Sequence, residues 1–370
     1  MGMVADFRSP QPLRADFTHP DPFVVSAYSI CRASEHVIVD PIEDSDHRPP
    51  DSDPTVKTKL VNVRILGHLL AQTRLLSGYA IATVATGILS CRADPAERDE
   101  AVDVEALSAL GEVYKNHLLR PFRRFKGPTS NASSDPSSPS PPSCKLTEEE
   151  VDQLLAKTPR SPSKSRQLAL HRDDFRCIVT RVLDISYARE LQAQAPGPLE
   201  AQTLECCHIF PASGSTNHEF QGVLKSLGYT NIVNGLATAD SKIYSLENTM
   251  TMVHVLHDHF ARLDLWLEPT EDSHSEQTPH RYRLRTLWLL PHGLADGQAV
   301  TFQCHSAHPR LALPDPEYLR IHAACCRVAH LSGVAGLFDE LERDLASDPD
   351  PATETPEFSR APYAHLDHLS

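Results

Sequence analysis

Leu204-Glu205-Cys206-Cys207-His208-Ile209-Phe210-Pro211 and Glu247-Asn248-Thr249-Met250-Thr251-Met252-Val253-His254-Val255-Leu256-His257-Asp258-His259-Phe260 decide how the rest of the chain is read. The first piece predicts a buried strand that carries a histidine near its end and stops at a proline. The second predicts a turn at Asn248, a short strand, then a helix bearing histidines. A strand histidine, a turn asparagine and a histidine on the following helix can meet around one divalent ion.

The resemblance that follows rests on four core elements and two flanking segments. Cys177-Ile178-Val179-Thr180, Cys207-His208-Ile209-Phe210-Pro211, Asn248 and Leu256-His257-Asp258-His259-Phe260 occur in that order, with His257 nine residues after Asn248. Arg120-Pro121-Phe122-Arg123 lies upstream, and Arg327-Val328-Ala329-His330-Leu331-Ser332-Gly333 downstream. In this pattern the chain resembles the HNH endonuclease domain of a type found in many fungal proteins. The resemblance covers most of the chain, but only residues 177–268 carry motifs that imply chemistry. It implies a ββα-metal core and hydrolysis of phosphodiester bonds in nucleic acid, DNA in the first place.

Phosphodiester hydrolysis needs an activated water, charge stabilisation on the phosphate and help for the leaving oxygen. A histidine that is neutral near pH 7 can take the water's proton. His208 is the candidate base. His257 is the candidate ligand for a divalent ion (Mg²⁺, Mn²⁺ or Zn²⁺). Asn248 is expected to hold the loop by side-chain-to-backbone hydrogen bonds. Glu205, three residues before His208, is expected on the other strand face. One position departs from the family pattern. Many HNH proteins place a metal-binding Asp or His just before the strand histidine, and here Cys207 stands there. A thiolate prefers zinc to magnesium. Either Cys207 contributes a soft ligand, or His254, three residues before His257, replaces it, or the ion has fewer protein ligands, or the site is inactive. Asp258 is a further possibility. Two rival readings therefore stand beside the nuclease: a degenerate HNH module that binds nucleic acid or a protein without cutting, and a structural zinc protein.

Composition bounds these readings loosely. The 370 residues suffice for one or two domains. The formal net charge of −14 is unlike that of a dedicated nucleic-acid binder. The charge is uneven, however: residues 157–190 hold eight Lys/Arg against four acids, while residues 339–370 hold nine acids and two arginines. The nine cysteines lack the spacing of a disulfide framework and read as buried thiols. The first twenty residues have no apolar stretch of signal-peptide type, so an intracellular location is expected.

The expected organisation is α+β. Residues 1–54 read as a mostly irregular N-terminal segment with one ordered element over 28–39. Residues 55–127 read as a helical region, and residues 128–146 as a linker, since twelve of the sixteen residues from Pro128 to Ser143 are Pro or Ser. The HNH nuclease domain is expected over 147–345, with a disordered acidic tail over 346–370. The uncharged run Leu75–Cys91 is seventeen residues, short for a membrane span, and reads as a buried helix. Thr147-Glu148-Glu149-Glu150 has the form of a capping box. Alternation around Leu265, Tyr282 and Val300 predicts a small antiparallel sheet holding the motif core. Pro316 opens a C-terminal helix with an apolar stripe. Trp266 reads as core.

Overall fold

The computed structural model describes residues 7–43, 53–91, 103–124, 147–155, 161–194, 197–237, 242–270 and 280–347. The Pro/Ser linker over 128–146 and the acidic tail beyond 347 lie outside the described residues.

The chain begins with three apolar helices, α1 (Pro22–Glu43), α2 (Pro54–Leu70) and α3 (Gly78–Ser90), packed side by side. The first corrects the reading of 1–54 as mostly irregular: residues 22–43 are one continuous helix, longer at both ends than the element expected over 28–39. Composition hid it, because flanking Pro and Asp residues masked the buried positions Val24, Ala27, Tyr28 and Cys31. Local signals set the next boundaries. The Asp53 carboxylate accepts the Thr55 amide and Pro54 occupies the first helical position. Ser77 caps α3 through the Ala80 amide. Helix α3 is the uncharged run, and it is a core helix: Ala80, Ile81, Val84, Ala85 and Ile88 are buried. Among the described residues no single helix is long and apolar enough to cross a membrane.

Helix α4 (Val104–Tyr114) crosses α2 so closely that a Cβ on Gly111 would stand 2.2 Å from the Asn62 carbonyl oxygen. It widens into a π-helical turn over Lys115–Leu119 and ends in the short α5 (Arg120–Phe122). Pro121 has no amide hydrogen to give to the preceding turn, so this is where the regular ladder fails. Helix α6 (Glu148–Leu155) starts at the expected capping box, with Thr147 Oγ1 accepting from the Glu150 amide and the Glu150 carboxylate accepting from the Thr147 amide. Then come α7 (Pro162–Arg172), β1 (Leu183–Asp184), α8 (Ile185–Gln194) and β2 (Ala201–Gln202), the two short strands pairing in parallel.

Strand β3 (Leu204–His208) is followed by two helices that sequence reasoning missed, α9 (His218–Ser226) and α10 (Thr230–Ala237). The chain then returns as β4 (Thr249–Val253), antiparallel to β3 with Leu204 opposite Val253 and His208 opposite Thr249. Helix α11 (His254–Ala261) starts directly after β4 and packs on both strands. Strands β5 (Leu265–Pro269), β6 (Arg281–Thr286) and β7 (Ala299–Thr301) form a separate antiparallel sheet in that order. The motif strands β3 and β4 are not part of it, so the core is not nested in one sheet as expected. Helix α12 (Pro316–Ser332) begins at an Asp315 cap and stops at Gly333, whose φ of 90° lies in the left-handed region. Helix α13 (Val334–Ser347) follows.

One apolar core joins Val63 and Leu66 of α2 to Leu256 and Phe260 of α11, Trp266 of β5 and Ile321 of α12. Phe122 sits among Phe210, Phe220 and His322, and the Arg124 amide donates to the Ala261 carbonyl at 2.8 Å. Helices α12 and α2 are in direct contact. The helical N-terminal region therefore supports the histidine helix from behind.

Candidate functional site

Two strands and the helix that leaves the second form the frame of the site. The register brings the start of β3 beside the start of α11, because Leu204 pairs with Val253, the last residue before the helix. Glu205 is thus placed under the first turn of α11. Its two carboxylate oxygens are shared between the two helix histidines: Oε1 meets His254 Nδ1 at 2.9 Å and Oε2 meets His257 Nδ1 at 2.7 Å. Their i, i+3 spacing puts both rings on one side of the helix. These bonds, His257 first, hold the Glu205 carboxyl down to about 2, against the opposing effect of burial. His257 is largely covered, with 16% of its side chain exposed, whereas His254 is open at 73%.

His208 lies at the other end of β3. Its ring Nε2 is buried and has no hydrogen-bond partner. The ring meets Tyr244 edge-on at 5.5 Å. Burial pushes the imidazole down to about 4, and the nearby His257 adds to the shift. A buried polar atom without a partner is costly, of the order of 1–3 kcal/mol, and the same holds at core positions such as Ser34 Oγ and Asn62 Oδ1. Asn248 secures the loop beneath. Its Oδ1 accepts the Phe210 amide at 2.7 Å, and its Nδ2 donates to the Phe210 and Ile243 carbonyls at 3.1 and 2.8 Å. The side chain is fully buried and all its bonds go to backbone, so it fixes the exit of β3 after His208.

Cys207 is placed differently from its expected role as a ligand. It is 1% exposed, belongs to the apolar core, and its thiol points at the neighbouring His208 carbonyl at 3.9 Å. Burial raises the thiol far above its ordinary value, which opposes the thiolate a metal needs. Asp258, one turn after His254, lines a cleft that also includes His259, Arg262 and Trp288. Cys177 is also core, accepting the Thr180 amide at 3.4 Å in a packed turn. The residue that sequence reasoning missed is Glu205. The available signal was strand alternation: Glu205 is two residues before Cys207 and so shares its face, with the helix start adjacent.

Among the described residues there is no group of three or more His, Cys, Asp and Glu side chains that could hold a metal ion. What is present is a pair of imidazoles whose Nδ1 atoms are both tied to one carboxylate, leaving the Nε2 atoms as the remaining ring donors. Comparison with family models, with curated proteins and with solved structures finds no match.

Proposed function

We propose that the chain is a metal-dependent endonuclease of HNH type, hydrolysing phosphodiester bonds of nucleic acid at the β3–β4–α11 unit. The observation that carries this reading is the buried, partnerless Nε2 of His208 beside a helix whose two histidines share the Glu205 carboxylate. Two imidazole donors are of a kind that a divalent ion takes, and solvent would have to fill its other positions, because among the described residues no group of three or more His, Cys, Asp and Glu could hold one. Ligating histidines commonly give their second ring nitrogen to a carboxylate, which fixes tautomer and orientation. His254 and His257 would hold the ion through Nε2, with Glu205 orienting both rings. When bound, the ion supplies Lewis-acid stabilisation of charge on the phosphate.

The chain's own residues do the rest. His208 is neutral at pH 7 because burial disfavours its charged form. Its ring would take a proton from water as the water oxygen attacks phosphorus, which requires Nε2, enclosed here, to become accessible. The bond to the leaving oxygen breaks, and that oxygen takes its proton from solvent water. The negative phosphodiester at this position favours imidazolium, so the base strengthens as substrate arrives. Asn248 keeps His208 in place through its three backbone bonds.

Plasmid nicking by the full chain across Mg²⁺, Mn²⁺, Ni²⁺ and Zn²⁺ tests the reading. Imidazole donors suit nickel and zinc better than magnesium, so the softer ions are expected to support cutting at lower concentration. Absence of cleavage with all four ions overturns the enzyme reading. It leaves the second one, a non-cutting module that binds nucleic acid or a protein, which the enclosed Cys207 thiol favours.

A further inference from the structure

At the end of α7 lies a charge pair that the chemistry above does not use. Arg172 and Asp173 are 0% and 1% exposed. The guanidinium holds its neighbour's carboxylate by two bonds, Nε to Oδ1 at 2.7 Å and Nη2 to Oδ2 at 2.9 Å. Its remaining nitrogen, Nη1, donates to the Leu246 carbonyl at 2.9 Å and to the Ala312 carbonyl at 3.2 Å. Asp173 Oδ2 also accepts the Thr251 hydroxyl at 2.6 Å.

Two of these bonds end on the frame of the site. Leu246 opens the 3₁₀ turn that closes at Asn248, and Asn248 fixes the exit of β3 after His208. Thr251 is the central residue of β4, two before Val253, after which α11 and its histidines begin. Register pairs Met252 with Glu205, so alternation turns Thr251 to the opposite face of the hairpin. The pair therefore grips the two strands from the face away from α11. The Ile178 amide donates to the Thr251 carbonyl at 2.9 Å and closes the packed turn onto the same strand. Burying two charges costs desolvation that their attraction repays only with good geometry, and apolar side chains of similar volume often serve stability as well. What the planar guanidinium adds is direction: it meets the carboxylate and the carbonyls at set angles, as an ammonium on a flexible stem does not.

We infer that Arg172 and Asp173 are the positioning pair of the site, holding the Asn248 turn and strand β4 in one fixed relation, so that His208 and the α11 histidines address the same phosphate. The inference rests on the endonuclease reading of the β3–β4–α11 unit.

The test separates local from global loosening in the full chain. Arg172→Lys keeps the charge but cannot hold the carboxylate and both carbonyls together. Hydrogen exchange should speed up at the Ile209 and Phe210 amides, which Asn248 holds. The acceleration there should exceed that at the buried Ile65 and Val84 amides of α2 and α3 by roughly 10-fold, the scale of one lost hydrogen bond to a charged group. At saturating metal and nucleic acid, kcat should fall by up to roughly 100-fold, the scale of an ångström's misplacement. KM should stay close to wild type, because the displaced groups act in the transition state. Thr251→Val removes only the bond to β4 and should give a smaller change of the same kind, most of which Thr251→Ser recovers. Should Arg172→Lys fail to fold, these two variants decide by the same readings. Equal acceleration at all four amides makes the pair a general strut and overturns the inference. So does an unchanged kcat in a chain that cuts. If the wild type cuts with none of the four ions, the endonuclease reading falls, and the exchange contrast alone decides whether the pair holds the turn.

Discussion

His208 and His322 are both enclosed histidines with depressed basicity, and they sit in different kinds of surroundings. His322 on α12 is fully enclosed: its ring stacks on Phe260 at 3.8 Å, meets Phe122 edge-on, and its Nε2 bonds the Phe260 carbonyl at 3.3 Å. His208 is also covered, yet its Nε2 has no partner. Burial accounts for the low pKa in both, to about 3 for His322 and about 4 for His208. A shifted pKa therefore does not separate structural from functional histidines. What differs between these two rings is the ring nitrogen, bonded to a carbonyl in His322 and without a partner in His208.

The largest expected effect contrasts these two rings. His208→Ala should lower cleavage on the order of 10²–10⁴-fold, the contribution of a positioned base, with an unchanged urea midpoint. His322→Ala should lower stability by about 3 kcal/mol through the cavity left between Phe260 and Phe122, measured by urea unfolding. If His208→Ala unfolds as readily as His322→Ala while cutting normally, the contrast collapses.

A smaller effect belongs to Glu205. Glu205→Gln keeps the shape but loses the charge that orients His254 and His257. Metal affinity should fall roughly 10- to 100-fold, as for other partners of ligating histidines, read by isothermal titration with Ni²⁺ or Zn²⁺. His257→Ala should abolish binding at the same metal concentrations. Equal affinity in wild type and Glu205→Gln removes the carboxylate from the site.

The smallest effect is a slope. The folded pKa values of His322, of His208 and of His68, lowered to about 4 by burial, all lie below the ordinary 6.5. A group depressed in the folded state contributes stability that is fully present above the unfolded pKa and is lost as pH falls toward the folded one. Stability should therefore decline from about pH 6.5 down to pH 4, as each unfolded imidazole takes a proton that its folded counterpart refuses. His322→Phe keeps the stacked ring without the titration, so the urea midpoint should fall less steeply over this window. An unchanged slope assigns the acid lability to other groups.

Much of the local structure was legible because its causes are local. Thr147 with Glu150, and Pro316, mark helix starts through signals that need only neighbouring residues. Alternation over β5 and β6 and the buried character of α3 came from period and apolarity alone. Helices α9 and α10 were not legible, since they are short and depend on packing against one another and on their surroundings.

The sequence by itself determined that Leu204–His208 and Thr249–Val253 are strands, that a helix bearing His254 and His257 follows, and that Asn248 binds backbone at the turn. Those outcomes depend on residue type and spacing along the chain. Tertiary structure alone decided that Glu205 holds both helix histidines, that Cys207 is sealed in the core, and that His208 Nε2 is left without a partner. The reason is that partners 38–52 residues apart meet only through strand register and through the helices packed behind α11, which no short window of sequence contains.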